Sequence, residues 1–434
     1  MRFLLLFIPF IINAANLSFE LFKKESNEKG NTLLIIGGIH GDEPGGYFAP
    51  AFLEKYYEIK SGNVWIIPDL NADSIMANNR GLYDDMNRKF SSIEKNDPDY
   101  DTVTKVKEII LDKKVDLILN LHDGYGFYRN KYENAIFNPN AWGQATIIDQ
   151  EKITGLDKFG NLDEIANQVN DSLNNDNLFK DYHSFGVKNT ETKFKDEQMQ
   201  LSLTFFAVTH NKPAFAIETS KNITDLTHKV IYQLKSIEEF MNIMHIKFER
   251  KFDINNYDDV QKKISDFGKV RVNDNIVFDL SDIKNYTKYV PLKESDNVFK
   301  FEHSLGAYRF IDGRYEIYIG NIKATEFYPQ IFEIAKAEKN IKIEVDGKII
   351  ETPFATQIDI KKDFKIVKSD YRVNIIGFSK AGLDSEDDIL IEEKDIQDNY
   401  SVDNGKTKYR AEFYKDGKFY GMIILNFLKD KNEK

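Results

Sequence analysis

Gly37-Gly38-Ile39-His40-Gly41-Asp42-Glu43-Pro44-Gly45-Gly46 follows directly on the aliphatic run Leu33-Leu34-Ile35-Ile36. A short apolar run ended by glycines has the pattern of a buried strand stopping at a turn. A histidine and a glutamate, three positions apart, then occupy the carboxyl end of that strand. Taken alone, His40 and Glu43 fit half of a metal site and equally a polar turn. What the rest of the chain brings to the same edge decides between them.

Three more short apolar runs, at residues 64–67, 115–121 and 214–217, read as buried strands. Between them Val103, Val106, Ile109 and Ile110 fall at helical spacing, and so do Leu226, Val230, Leu234, Ile237, Met241 and Met244. Strands alternating with helices predict an α/β domain whose mixed, mostly parallel sheet is flanked by helices on both faces. Beyond about residue 250 the texture changes to short strands joined by Asp-Gly turns, as at Asp312-Gly313 and Asp416-Gly417. The expected organisation is a domain over 16–250 followed by two small β-rich domains. The first, over 251–340, carries one helix near 325–338, and the second, over 341–434, is an immunoglobulin-like β-sandwich.

Composition narrows the function. The 434 residues carry a net charge of −11, with 41% hydrophobic and 30% charged residues. Such a chain has material for real cores, and its acidic surface disfavours nucleic acid and anionic membrane. Arg2, the apolar stretch Phe3-Leu4-Leu5-Leu6-Phe7-Ile8-Pro9-Phe10-Ile11-Ile12 and Asn13-Ala14-Ala15 together read as a secretory signal peptide over 1–15. An apolar first strand is the alternative. No other stretch reaches the roughly 18 apolar residues of a membrane span, so no transmembrane anchor is expected after cleavage. The chain has no cysteine. Any metal must therefore be held by His, Asp and Glu.

His122 ends the run 115–121, and Glu218 ends the run 214–217. With His40 and Glu43 they all fall at the carboxyl ends of expected parallel strands, the edge where open α/β sheets build their sites. Two imidazoles and a carboxylate would give Zn²⁺ three protein ligands and leave a position for water. A second cluster runs Asn78-Asn79-Arg80-Gly81-Leu82-Tyr83-Asp84-Asp85-Met86-Asn87-Arg88. Its two arginines suit a carboxylate and a polarised carbonyl; on its own this stretch also fits a solvated loop. His210, His228 and His245 read as helix-end or surface residues, and the acidic run 384–388 as a solvated loop.

His40-Gly41-Asp42-Glu43, Arg80, Asp85-Met86-Asn87-Arg88, His122 and Glu218 resemble, in order and spacing, the zinc carboxypeptidases typified by carboxypeptidase A. The likeness covers roughly residues 30–245. With a signal segment and two trailing β-rich modules, the chain looks most like the three-domain peptidoglycan DL-carboxypeptidases that set helical cell shape. The resemblance implies one Zn²⁺ per chain on His40, Glu43 and His122, with Asp85 orienting the His40 ring. It implies Asn87 and Arg88 on the substrate carboxylate, Arg80 on the oxyanion and Glu218 as general base. It further implies a periplasmic, monomeric enzyme that removes meso-diaminopimelate from a muramyl tripeptide of peptidoglycan, leaving a dipeptide. Some relatives carry Gln in place of the first His ligand; this chain keeps His40. The family's mobile Tyr has no clear counterpart, and Tyr182 is one candidate. Two other readings stand beside this one: an amidohydrolase of the succinylglutamate desuccinylase/aspartoacylase type, and an inactive peptidoglycan-binding protein.

Overall fold

The computed structural model describes residues 19–336 and 340–429. The expected signal segment at 1–15 lies outside them. The described chain divides into two compact units. One holds the residues up to Pro50 with Glu58–Ile75 and Asn79–Glu249; the other holds Ala51–Tyr57, Met76–Asn78 and the chain from Arg250 onward.

The first unit is built on a seven-stranded sheet. Its strands are β1 (Phe22–Glu25), β2 (Thr32–Ile36), β3 (Asn63–Ile67), β4 (Leu117–Gly124), β5 (Ala145–Ile148), β6 (Gly186–Asn189) and β7 (Ala214–Ser220), in the order β1-β3-β2-β4-β7-β5-β6. The four central strands, β3, β2, β4 and β7, run parallel, while β1 and β5 join antiparallel. This is the mixed, mostly parallel α/β sheet expected. Leu33 to Ile36 and Leu117 to Leu119 are fully buried, as strands covered on both faces require. The helices α1 (Pro44–Tyr56), α2 (Tyr100–Ile110), α3 (Leu162–Asn175), α4 (Leu203–Thr209) and α5 (Leu226–Ile243) supply the cover. Val103, Val106 and Ile110 of α2 and Val230, Leu234, Ile237 and Met241 of α5 are buried, so the helical periodicity marks the true inner faces. Asp225 starts α5 by accepting from the backbone N–H groups of Thr227 and His228.

Helix α1 begins immediately after the His40/Glu43 turn and lies tight against β4. A Cβ on Gly46 would sit 2.6 Å from the Leu121 carbonyl oxygen. Only a residue without a side chain lets the helix approach so closely, and that approach brings Glu43 up to His122.

From Arg250 the second unit opens with α6 (Tyr257–Ile264) and continues mainly as β-structure. Strands β8 (Lys269–Val272), β9 (Ile276–Asp279), β10 (Tyr286–Leu292), β11 (Phe299–Phe301), β12 (Gly306–Ile311), β13 (Arg314–Ile319) and β14 (Ile322–Ile331) form sheets ordered β9-β8-β11 and β10-β14-β13-β12. Residues 325–336 of the helix expected near 325–338 are described, and they are not helical. Residues 322–331 are strand β14, paired with β13 on one side and β10 on the other. Phe327, Ile331 and Ile334 recur at helical spacing. Partners on both edges, and the burial of Thr325 and Phe327 on one face, override that local pattern. The helix of this region is α6, which Asn256 caps by accepting from the Asp259 N–H.

From Ile341 onward two four-stranded sheets enclose one core. Ile343, Phe364 and Ile391 face Ile360, Val373, Phe413 and Leu425. Two sheets packed over one core in this way form a β-sandwich.

Candidate metal and active site

The loop after β2 and the end of β4 converge as the sheet-edge rule requires. His40, Glu43 and His122 are each no more than 3% exposed. One ligand atom from each can be chosen so that all lie within 4.8 Å of one another. His122 Nδ1 is 2.8 Å from Glu43 Oε2, His40 Nδ1 is 3.0 Å from Glu43 Oε1, and the two ring nitrogens are 3.2 Å apart. Two imidazoles and a carboxylate converging in a buried pocket suit a borderline-soft divalent ion.

Electrostatics hold this cluster in one charge arrangement. Burial alone would raise the Glu43 carboxyl, but His40 and His122 outweigh it and keep it well below the usual carboxylate range. Burial likewise works to lower His40; Glu43 and Asp85 overcome it and lift the ring to about 9. His122 goes the other way, lowered first by burial and further by the neighbouring His40 and Arg80 charges.

Asp85 turns the His40 ring. Its Oδ1 lies 2.8 Å from His40 Nε2, which leaves Nδ1 facing inward toward Glu43. The same oxygen accepts from the Asn87 backbone N–H at 2.9 Å and so starts the 3₁₀ turn Met86–Arg88. One carboxylate thus orients the His40 ring and builds the turn carrying Asn87 and Arg88. Arg80 Nε donates to Asp85 Oδ2 and Nη1 to Glu43 Oε1, both at 3.0 Å. Its side chain is nevertheless 45% exposed, a cation with one edge toward the opening.

Glu218 arrives on a neighbouring strand. The parallel β4–β7 register sets Glu218 directly beside His122. Burial first, then the Glu43 charge, pushes its carboxyl well above the ordinary carboxylate range. Gly124 is what makes room for it, since a Cβ there would meet Glu218 Oε2 at 2.8 Å.

These side chains share one pocket of about 240 Å³, lined by His40, Glu43, Arg80, Asn87, Arg88, His122 and Glu218 among others. Asn87 Oδ1 accepts from the Leu203 N–H at 3.0 Å, so its amide nitrogen is the end left to donate. Arg88 Nη1 donates to the Asn87 carbonyl at 3.1 Å. The pocket therefore joins a possible metal, a carboxyl group of raised proton affinity, and two side chains that can donate to an anion.

The pocket also holds residues that the sequence reading leaves out. Lys221 lies three residues beyond Glu218, pairs with Asp42 and stands 3.6 Å from Glu43 Oε1. Tyr125 and Trp142 line the same space, and Lys221 Nζ sits 5.1 Å from the Tyr125 ring centroid. Lys221 carries a usable signal, because it follows Glu218 at the same sheet edge. Trp142 carries none; it depends on a loop that returns to Gly124 at the end of β4. Tyr182 lies outside the lining, its ring 5.3 Å from that of Phe137. His210 caps the end of α4, and His228 pairs with Asp225.

Comparison with known proteins identifies the family. Residues 5–264 match the family model described as the catalytic part of the carboxypeptidase controlling helical cell shape. Residues 334–428 match the C-terminal domain of metallo-carboxypeptidase. No curated protein matches the sequence. Among solved structures, apo cell shape determinant protein Csd4 from Helicobacter pylori is 32% identical with a TM-score of 0.89, covering 95% of this chain and 100% of that one. Its tripeptide-bound form is 33% identical at the same coverage and TM-score. The mDAP-bound form, described as a D,L-carboxypeptidase, is 33% identical over 94% of this chain and 100% of that one, also with a TM-score of 0.89. The chain belongs to the metallocarboxypeptidases that control helical cell shape.

Proposed function

We propose that this protein is a zinc-dependent D,L-carboxypeptidase of the periplasm, which removes meso-diaminopimelate from muramyl tripeptides of peptidoglycan and leaves dipeptides. The observation that carries the reading is the β4–β7 register. It sets the partly buried carboxyl of Glu218 beside His122, in the pocket that also holds Asn87 and Arg88. The tripeptide and mDAP bound by the related Csd4 structures support the substrate class.

In this reading His40, Glu43 and His122 hold the ion, which when bound supplies Lewis acidity and lowers the pKa of water. Asn87 and Arg88 receive the terminal carboxylate and thereby fix which bond lies over Glu218. Glu218 takes a proton from the attacking water and later delivers it to the leaving amine. Its raised proton affinity suits the second half of that task. Arg80 faces the oxygen on which negative charge develops. Residues 16–250 carry the chemistry, and 251–340 and 341–434 are accessory β-rich domains of a monomeric enzyme that follows a signal peptide at 1–15.

Purified sacculi digested with the zinc-loaded protein should release meso-diaminopimelate and convert tripeptide stems to dipeptides. Muropeptides left unchanged, with hydrolysis of N-acyl amino acids instead, would assign the chain to an amidohydrolase role.

A further inference from the structure

The second unit contains a cleft of about 810 Å³, far from filled by its own side chains. One wall is an irregular part of β10. Its parallel pairing with β14 slips between Thr287 and Val290, so Lys288 and Tyr289 bulge out of the ladder. Tyr289 sits at φ +55°, a conformation that a bulky side chain seldom adopts. Arg410 holds it there. Its Nη1 and Nη2 donate to the carbonyls of Tyr289 and Lys288, each at 3.1 Å, although the residue is only 4% exposed. Glu412, 3% exposed, stands 3.1 Å from the same guanidinium and accepts from the Tyr414 hydroxyl. A buried ion pair is thus committed to displaying a strained bulge, and strain of this kind concentrates where backbone is held for binding.

What the bulge displays has a consistent chemistry. Tyr286, Tyr289 and Tyr400 line the cleft with 55%, 68% and 47% of their surface exposed. Lys284, Lys288, Arg372 and Arg410 outnumber the one carboxylate, Glu412. Buried polar atoms without a hydrogen-bond partner among the described residues, Thr287 Oγ1, Arg410 Nε and Glu412 Oε1, belong to lining residues. Exposed tyrosines offer flat apolar faces with hydroxyl tips, which suit the alternating C–H and O–H surface of sugar rings. The cationic excess suits a chain bearing carboxylates. The volume falls within the range of sites that enclose a small ligand.

We propose that this cleft binds the glycan–peptide strand on which the enzyme acts, with sugar rings against the tyrosines and stem carboxylates toward Arg372 and Lys288. The proposal rests on the substrate reading given above. A strand held here is kept at high effective concentration for the catalytic unit.

The test titrates the full zinc-loaded chain, by calorimetry, with soluble glycan strands whose stems are already trimmed to dipeptides. Tyr289→Gly removes the ring and suits the positive φ; Arg372→Glu reverses an exposed charge. Each variant should bind the strands at least tenfold more weakly and work more slowly on sacculi. Both should keep wild-type kcat and KM on a soluble muramyl tripeptide. Wild-type strand binding by both variants overturns the proposal. If strands bind through these residues but no muramyl tripeptide is cleaved, the substrate reading fails while the cleft assignment stands.

Discussion

Asp85 Oδ1 lies 2.8 Å from the outer nitrogen of His40, and the same carboxylate receives Arg80 and the Asn87 backbone. Burial would raise this carboxyl, yet the His40 hydrogen bond and the surrounding cations hold it well below the ordinary range. It therefore stays an acceptor across the neutral range. Replacing such an outer partner commonly weakens a metal site about 10–100-fold. Asp85→Ala should weaken zinc by that factor, read by competition with a chromophoric chelator. Unaltered affinity would mean that His40 is oriented by something else.

Arg88 is expected to act on substrate rather than on the ion. A hydrogen bond to a charged group is worth about 1.5–3 kcal/mol. Arg88→Ala should therefore lower kcat/KM roughly 10–150-fold, mostly through KM, with zinc content unchanged. Arg88→Lys should recover only part, because an ammonium lacks the planar fork. Steady-state kinetics on a soluble tripeptide decide this, and an unchanged KM would remove Arg88 from the carboxylate site.

Gly46 links the quoted turn to the second histidine. A methyl group there would press on Leu121, one residue before His122, at 2.6 Å from its carbonyl oxygen. Overpacking of this kind costs about 1–3 kcal/mol. Gly46→Ala should lower the urea midpoint correspondingly and weaken zinc binding as well. Wild-type values of both would show that α1 can shift without disturbing the site.

Asp149 gives stability a pH dependence of known sign. It is 2% exposed, and burial pushes its carboxyl up to about 6 against the opposing hydrogen bonds of Thr192 and Thr204. Between about pH 4 and 6 the native chain keeps a proton that the unfolded chain has released. Its contribution to stability therefore falls as pH rises through that window and is level above it. A shift of about two units corresponds to about 3 kcal/mol. The stability of the native protein relative to Asp149→Asn should drop by about that amount between pH 4 and 7 in urea titrations. A constant difference would show that the carboxylate ionises freely in place.

The polar cluster of the pocket is legible because each member follows one local rule, a polar residue after an apolar run. His40, Glu43, His122 and Glu218 all obey it, and the resemblance to carboxypeptidases placed Asp85, Asn87 and Arg88. Trp142 obeys no local rule, since only the return of its loop brings it to the pocket. The helix expected near 325–338 falls partly on the strand Ile322–Ile331 for a related reason. Its partners Tyr286–Leu292 and Arg314–Ile319 decide its conformation, and a window of sequence cannot see pairing. The bulge at Lys288 and Tyr289 was equally invisible, because the side chain that secures it, Arg410, lies more than a hundred residues away.

The central claim is that Glu218 handles the proton while His40, Glu43 and His122 hold the ion. Glu218→Ala, assayed for release of meso-diaminopimelate from muramyl tripeptide and for zinc by elemental analysis, separates the two roles. The expected result is loss of turnover by several orders of magnitude with one zinc per chain retained. Wild-type release by this variant would contradict the account.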